Sequence, residues 1–177
     1  THELLTINDL SLTWTDQPNP MIVDAQLSLK AGDCMVLTGE SGCGKSLLAL
    51  SIVGMLPTHC RQTAGRILFQ GQAIHAFTPA DWASIRGAQI GYIPQEPQMA
   101  FNPIQTIGMQ IIEAIVQHEP LNPPQALARA TELMTQVGLT DIPFILERWP
   151  HQLSAGQLQR ILIAIAIAHR PKLLIAD

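Results

Sequence analysis

Gly39-Glu40-Ser41-Gly42-Cys43-Gly44-Lys45-Ser46 decides the reading of this chain. It matches the pattern G-x-x-x-x-G-K-[ST], and each fixed position has a physical reason. Glycines let the backbone curl until successive N–H groups point inward at an anion. The loop opens a helix, whose amino end favours negative charge. Lys45 brings an ammonium for the β- and γ-phosphates of ATP, and the Ser46 hydroxyl is a type of ligand that Mg2+ takes. Leu47 follows, where a hydroxyl would have met the α-phosphate, so this position offers only its backbone N–H. Gly39, Ser41, Gly42, Cys43, Gly44, Lys45, Ser46 and Leu47 are therefore the candidate phosphate-binding residues. The bland alternative, a Gly-rich turn with no ligand, fits the context less well, because an apolar run precedes the loop and a helical pattern follows.

Working outward, Cys34–Thr38 reads as a buried strand leading into the loop, and Leu47–Leu56 as a helix stopped by Pro57. Leu4–Ile7 is a short candidate strand. Val23, Ala25, Leu27 and Leu29 alternate with Asp24, Gln26 and Ser28, the period of a half-buried strand. Gly65–Phe69 and Ile90–Ile93 are further strands. From Thr106 to Leu139 the apolar spacing turns helical, first over Ile107, Ile111, Ile112 and Ile115, then over Ala126, Ala130, Leu133, Met134 and Val137, with Gly138 as a stop. A third helix begins near Ser154 and runs to about His169. Leu173–Ala176 is a buried strand that ends in Asp177. A carboxylate at the carboxyl end of a parallel strand is placed to hold Mg2+ beside a phosphate loop.

Bulk properties exclude several classes. The chain has 177 residues, 47% hydrophobic and 14% charged, which favours a folded domain over disorder. Its formal charge of −4 and its lack of any dense basic run give a nucleic-acid partner no electrostatic support. Cys34, Cys43 and Cys60 do not make a disulfide framework and fit a reducing compartment. Thr1-His2-Glu3-Leu4 shows no basic-then-apolar leader. The longest apolar run, Ile161–Ala168, is eight residues long, against about 20 for a membrane span. His59-Cys60 is too small a ligand set for zinc. The remaining histidines, His2, His75, His118, His151 and His169, read as solvated or capping residues.

Three segments identify the type of P-loop protein. Tyr92-Ile93-Pro94-Gln95-Glu96-Pro97 resembles the Q-loop of ABC ATPases, and Leu153-Ser154-Ala155-Gly156-Gln157-Leu158-Gln159-Arg160 their LSGGQ signature. Leu173–Asp177 resembles the first part of their Walker B strand. With the P-loop, the resemblance covers essentially the whole chain. It implies an α/β fold: a P-loop NTPase of ABC type with an N-terminal antiparallel β subdomain and an inserted helical subdomain. The expected division is an ATP-binding core over 1–95, a helical subdomain over 96–153, and a return to the core over 154–177.

The resemblance also implies roles. Lys45, Gln95 and Asp177 would be catalytic, with Ser46, Gln95 and Asp177 holding Mg2+. Trp14, which lies 25 residues before Gly39, matches the aromatic that stacks on adenine; a packed core aromatic is the alternative. ABC ATPases work as head-to-tail pairs, so Ser154, Ala155, Gly156 and Gln157 would meet the γ-phosphate of ATP held by a second ABC ATPase subunit, homologous or identical. Ala155 departs from the usual glycine, which puts the strength of this half-site in question. Integral membrane permease subunits are the other implied partners, with the protein peripheral on the cytoplasmic face of the cell membrane.

Leu56-Pro57 with Arg61–Gly65, Ala100–Pro103 and Gly44-Lys45-Ser46-Leu47 are most similar to the nickel, dipeptide and oligopeptide importer ATPases. Nickel or another metal chelate is the first expectation for cargo, and peptide the next. The family continues past the Walker B Asp with a catalytic Glu and a switch His, so the chain as given is expected to be a fragment that hydrolyses ATP poorly. A soluble ABC-type ATPase of DNA repair or translation, and a nucleotide-binding fragment without catalysis, remain the alternatives.

Overall fold

The structure is a computed structural model that describes residues 3–17 and 19–177. Thr1 and His2, on which part of the leader reading rests, lie outside the described residues. The chain forms two compact units, divided between Ala83 and Ser84.

The first unit is built on an antiparallel sheet of β1 (Glu3–Trp14), β2 (Pro20–Lys30), β3 (Cys60–Phe69) and β4 (Gln72–Ala73), in the order β2-β1-β3-β4. The central strand β1 carries the core. Leu5, Ile7, Leu10 and Leu12 are all at most 2% exposed. Two of these positions are odd and two even, which a regular strand forbids, because a one-residue slip sends side chains to the other face. Asp9 resolves the conflict: it has φ 51°, and the register shifts between Ile7 and Leu10. The irregularity crosses the sheet. On β2, Asp24 has φ 49° and its N–H donates to Ser11 Oγ at 3.1 Å. On β3, Gly65 has φ 76° and lies so close to β1 that a Cβ there would stand 2.3 Å from the Asp9 carbonyl oxygen. The slip corrects the expected alternation on β2. Ala25, Leu27 and Leu29 are half-buried as read, but Ile22 replaces Val23 on the covered face and Val23 is 61% exposed. The strand expected over Leu4–Ile7 runs on to Trp14, and the one expected from Gly65 begins at Cys60.

The structure departs from the sequence pattern at two further places. Cys34–Thr38 is not a strand, and Met35, Val36 and Leu37 are 46%, 77% and 43% exposed. Apolar, β-favouring residues become a strand only when a neighbour supplies ladder hydrogen bonds. The run belongs to neither described sheet. The helix after the loop, α1, spans Lys45–Ile52, shorter than the expected Leu47–Leu56. Gly54 stops it, not Pro57: at φ 64° its N–H bonds the Ser51 carbonyl and the Met55 N–H bonds the Leu50 carbonyl, the paired closure of a Schellman end.

A short helix, α2 (Pro79–Ile85), spans the division between the units. The second unit pairs β5 (Ile90–Ile93) with β6 (Leu173–Ala176) in parallel, and α3 (Ile107–Val116), α4 (Pro123–Gln136), α5 (Ile142–Leu146) and α6 (Ala155–Ile167) lie between them in sequence. The helices share one core, in which Ile107, Ile111, Ile115, Leu133, Met134, Leu158 and Ile161 are at most 2% exposed. Their starts follow from the sequence: Thr106 caps α3, and Asn122 with Gln125 forms a capping box on α4. Gly138 closes α4 at φ 75°. His118 and His169 cap carbonyls, with Nε2 2.9 Å from the Arg86 oxygen and 3.1 Å from the Ala114 oxygen respectively. On β6 only Leu173 is buried. Leu174 is 46% exposed, so this strand is less covered than its apolar sequence predicts.

Candidate functional site

Lys45 organises the phosphate loop of the first unit. Its Nζ donates to the carbonyl oxygens of Gly39 at 2.9 Å and Glu40 at 2.8 Å, and lies 3.6 Å from Cys43 Sγ. One ammonium thus ties both ends of the loop's first turn, which the Cys43 N–H closes onto the Glu40 carbonyl at 3.3 Å. Gly44 is the N-cap of α1 at φ 98°, and no side chain caps the helix. The first-turn amides therefore face the loop without a competing side-chain acceptor, the arrangement that favours an anion.

Glycine is required here for two different reasons. Gly42 and Gly44 hold φ of 83° and 98°, a region that costs side-chain-bearing residues about 1–3 kcal/mol. Gly39 lacks space instead, since a Cβ would stand 2.8 Å from Cys43 Sγ. Ser41, Gly42 and Cys43 are exposed, Lys45 and Ser46 half-buried, and the Leu47 side chain is turned into the core at 8% exposure. Trp14, half-buried, ends β1 opposite Cys60, and the next residue's N–H bonds the His59 carbonyl at 2.8 Å.

The second unit brings Gln95 and Asp177 to one edge. The parallel register pairs Ile93 with Ala176, so both residues follow at the carboxyl ends of β5 and β6. The Asp177 N–H donates to the Ile93 carbonyl at 3.0 Å, extending the ladder by one bond. Tyr92 Oη donates to Asp177 Oδ2 at 3.4 Å. Burial pushes the Tyr92 phenol above its ordinary value, and the Asp177 charge and hydrogen bond add to the shift. Gln95 is exposed. Ser46 lies in the first unit, and Gln95 and Asp177 in the second. In the second unit, the Gln95 amide and Asp177 carboxylate oxygens are hard donors of the kind Mg2+ takes.

Ser154-Ala155-Gly156-Gln157 forms the start of α6. Ser154 Oγ accepts from the Gln157 N–H at 3.2 Å, and Gln157 Oε1 accepts from the Ser154 N–H at 2.9 Å. Gln157 thus closes the helix start rather than reaching outward. Ala155 is the first helical residue and exposed, and a Cβ at Gly156 would meet nothing within 4 Å. The alanine adopts the helical backbone that it favours over glycine by about 1 kcal/mol. Tyr92, quoted above with the Q-loop segment but given no role of its own, stands opposite Ile175, and Asp177 is two residues further along the same face, a neighbourhood that only the parallel register reveals.

Comparison with known proteins identifies the family of the chain. The pattern of the ABC transporter family matches residues 22–177. A dipeptide transport ATP-binding protein of Escherichia coli is 40% identical over 176 residues, 98% of this chain and 54% of its own length. A metal-staphylopine import system ATP-binding protein of Staphylococcus aureus is 36% identical over 98% of this chain and 64% of its own length. The chain thus spans about half to two thirds of these relatives' length. In fold, it superposes on a dimeric ATP-binding cassette solved in a post-hydrolysis state with ADP and phosphate, with a TM-score of 0.86 at 22% identity, covering 98% of this chain and 73% of that one.

Proposed function

The chain belongs to the ABC transporter family of ATP-binding proteins, and from that premise we propose that Gly39–Ser46 binds the phosphates of ATP and that the whole subunit energises import of a peptide or a metal chelate. The observation that carries the reading is the Lys45 ammonium, held over the loop by the Gly39 and Glu40 carbonyls beside an uncapped helix start. A polyphosphate offers that ammonium stronger acceptors than neutral carbonyls do. The loop amides and the α1 dipole then face the same charge, while Trp14 stacks on the adenine. Ser46, Gln95 and Asp177 are the residues assigned to Mg2+, whose chemistry is to neutralise phosphate charge.

Ser154, Ala155 and Gly156 are assigned to the other half of a site. Their exposure and the open space at Gly156 leave room for a partner's γ-phosphate. The proposed assembly is a head-to-tail pair with a second ABC ATPase subunit, seated on permease subunits at the cytoplasmic face of the membrane. Among the described residues no helix is long and apolar enough to cross a bilayer. The functions of the relatives, dipeptide transport and metal-staphylopine import, support a peptide or metal-chelate cargo. Nickel is one member of that range.

A titration with a fluorescent ATP analogue tests the core of the proposal. Lys45→Ala removes charge-assisted hydrogen bonds of about 1.5–3 kcal/mol, so affinity is expected to fall about 10- to 150-fold. Equal affinity in wild type and variant would remove the loop from the nucleotide site.

A further inference from the structure

We infer that Arg129 and Arg160 are positioning residues, a reciprocal brace that sets how far the start of α6 is presented to a partner; this deepens the assignment of Ser154–Gly156 to a partner's γ-phosphate and rests on it. α4 and α6 each carry an arginine that caps the carboxyl end of the other. Arg160, in the second turn of α6, donates from Nη1 to the Val137 carbonyl at 3.1 Å and the Gly138 carbonyl at 2.9 Å, where α4 ends. Arg129, in α4, donates from Nη2 to the carbonyl of Ala168 at 2.9 Å, and Ala168 is the C-cap of α6. The last carbonyls of a helix lack intrahelical donors and carry the negative end of its dipole, so a cation is favourable at both places. The Arg129 fork is itself held by Glu132, with Nη1 2.7 Å from Oε2.

The two contacts act as one device because their spacings match. Arg160 and Ala168 are eight residues apart on α6, and Arg129 and Val137 are eight apart on α4. At 1.5 Å per residue both spans are about 12 Å, so the helices run antiparallel with one bond at each end of equal lengths. A slide of α6 by one turn, about 5.4 Å, takes both arginines out of reach together. The core between the helices includes Ala130, Ala164 and Ala168, each at most 1% exposed, and alanines make shallow ridges for interlocking. Leu133, Leu158 and Ile161 fill the same core, so packing sets the axial position coarsely and the brace refines it. Ser154 lies six residues before Arg160, about 9 Å along the axis, so a shift at the arginine is a shift at the signature. Hydrogen bonds form over a narrow range, about 2.7–3.2 Å, which makes a phosphate contact sensitive to a small displacement.

The test is ATP-driven association of the full-length subunit, with its partner ATPase where one is required, followed by sedimentation at a temperature where every variant is folded. Arg129→Met with Arg160→Met keeps the apolar stems and removes the donors. The association constant is expected to fall about 10- to 100-fold, the range of two net hydrogen bonds, with affinity for an ATP analogue at the Gly39–Ser46 loop unchanged. Arg129→Lys with Arg160→Lys returns a cation to each carboxyl end and should recover most of the loss. Gly156→Asp is the reference. If it abolishes association while the Met pair leaves association intact, the brace is overturned and the signature assignment stands. If Gly156→Asp leaves association intact, the signature assignment falls and the inference with it. A Met pair that weakens analogue binding as much as association, or a Lys pair no better than the Met pair, shows a route other than the register of α6 and also overturns the inference. Should the Met pair fail to fold, Arg160→Met alone, at an exposed position, takes its place; a fall of about two- to tenfold is expected, and an unchanged constant counts against the inference in the same way.

Discussion

Replacing Gly156 by Asp separates folding from function. Gly156 is the second residue of α6, and a Cβ there touches nothing within 4 Å. The helix start is already closed by the Ser154–Gln157 box, so the new side chain displaces no hydrogen bond. Leaving glycine in a helix gains up to about 0.5 kcal/mol for a residue such as Asp. An acid in the first turn adds about 0.3–1 kcal/mol through the helix dipole. The variant is therefore expected to unfold at the same temperature as wild type or slightly above it. The proposed pairing reverses the sign. A carboxylate about 4 Å from a phosphate charge costs about 4 kcal/mol at an effective dielectric constant near 20. That is about a thousandfold in the association constant. Sedimentation of the full-length subunit, with its partner ATPase where one is required, would read the loss of ATP-driven association directly, and a thermal melt of the same sample would read stability. Undiminished association of a well-folded Gly156→Asp protein would refute the placement of Ser154–Gly156 against a partner's γ-phosphate.

Two other perturbations address the first unit. Cys43 is exposed in the phosphate loop with Lys45 Nζ 3.6 Å from its sulfur, so it should react with a maleimide and be shielded by Mg-ATP. Cys60 is buried and its thiol is pushed up by that burial, so it should label slowly with or without nucleotide; equal Cys43 rates in both conditions would argue that ATP does not occupy the loop. Gly65→Ala would force a Cβ to within 2.3 Å of the Asp9 carbonyl oxygen at a φ of 76°. Strain and overpacking of about 1–3 kcal/mol each predict a loss of several kcal/mol in a denaturant melt, and wild-type stability would contradict the account of the three-strand bulge.

Features governed by local chemistry were legible in the sequence. Ser154 and Gly138 act at helix ends as their side chain or backbone freedom dictates. The phosphate loop was legible because its glycines answer to backbone geometry within eight residues. What was lost depends on neighbours distant in sequence. The bulge at Asp9 is matched by left-handed residues on the neighbouring strands, Asp24 and Gly65, so alternation alone put Val23 on the wrong face. The apolar run Cys34–Thr38 carried strand propensity, but propensity does not say where a partner strand lies. The end of α1 was misplaced because Pro57 is the louder signal, although Gly54 with Met55 closes the helix first. Tyr92 was invisible to motif matching, since its meaning comes only from parallel register with β6.

The central claim is that the backbone amides of Gly39–Ser46 cradle the phosphates. The most direct measurement follows the 15N–1H signals of those amides while Mg-ATP, and then Mg-tripolyphosphate, is added. The largest shifts are expected at Gly42, Gly44, Lys45 and Ser46 with both ligands, with Trp14 responding to ATP alone. Saturable ATP binding that leaves the loop amides unmoved would contradict the account.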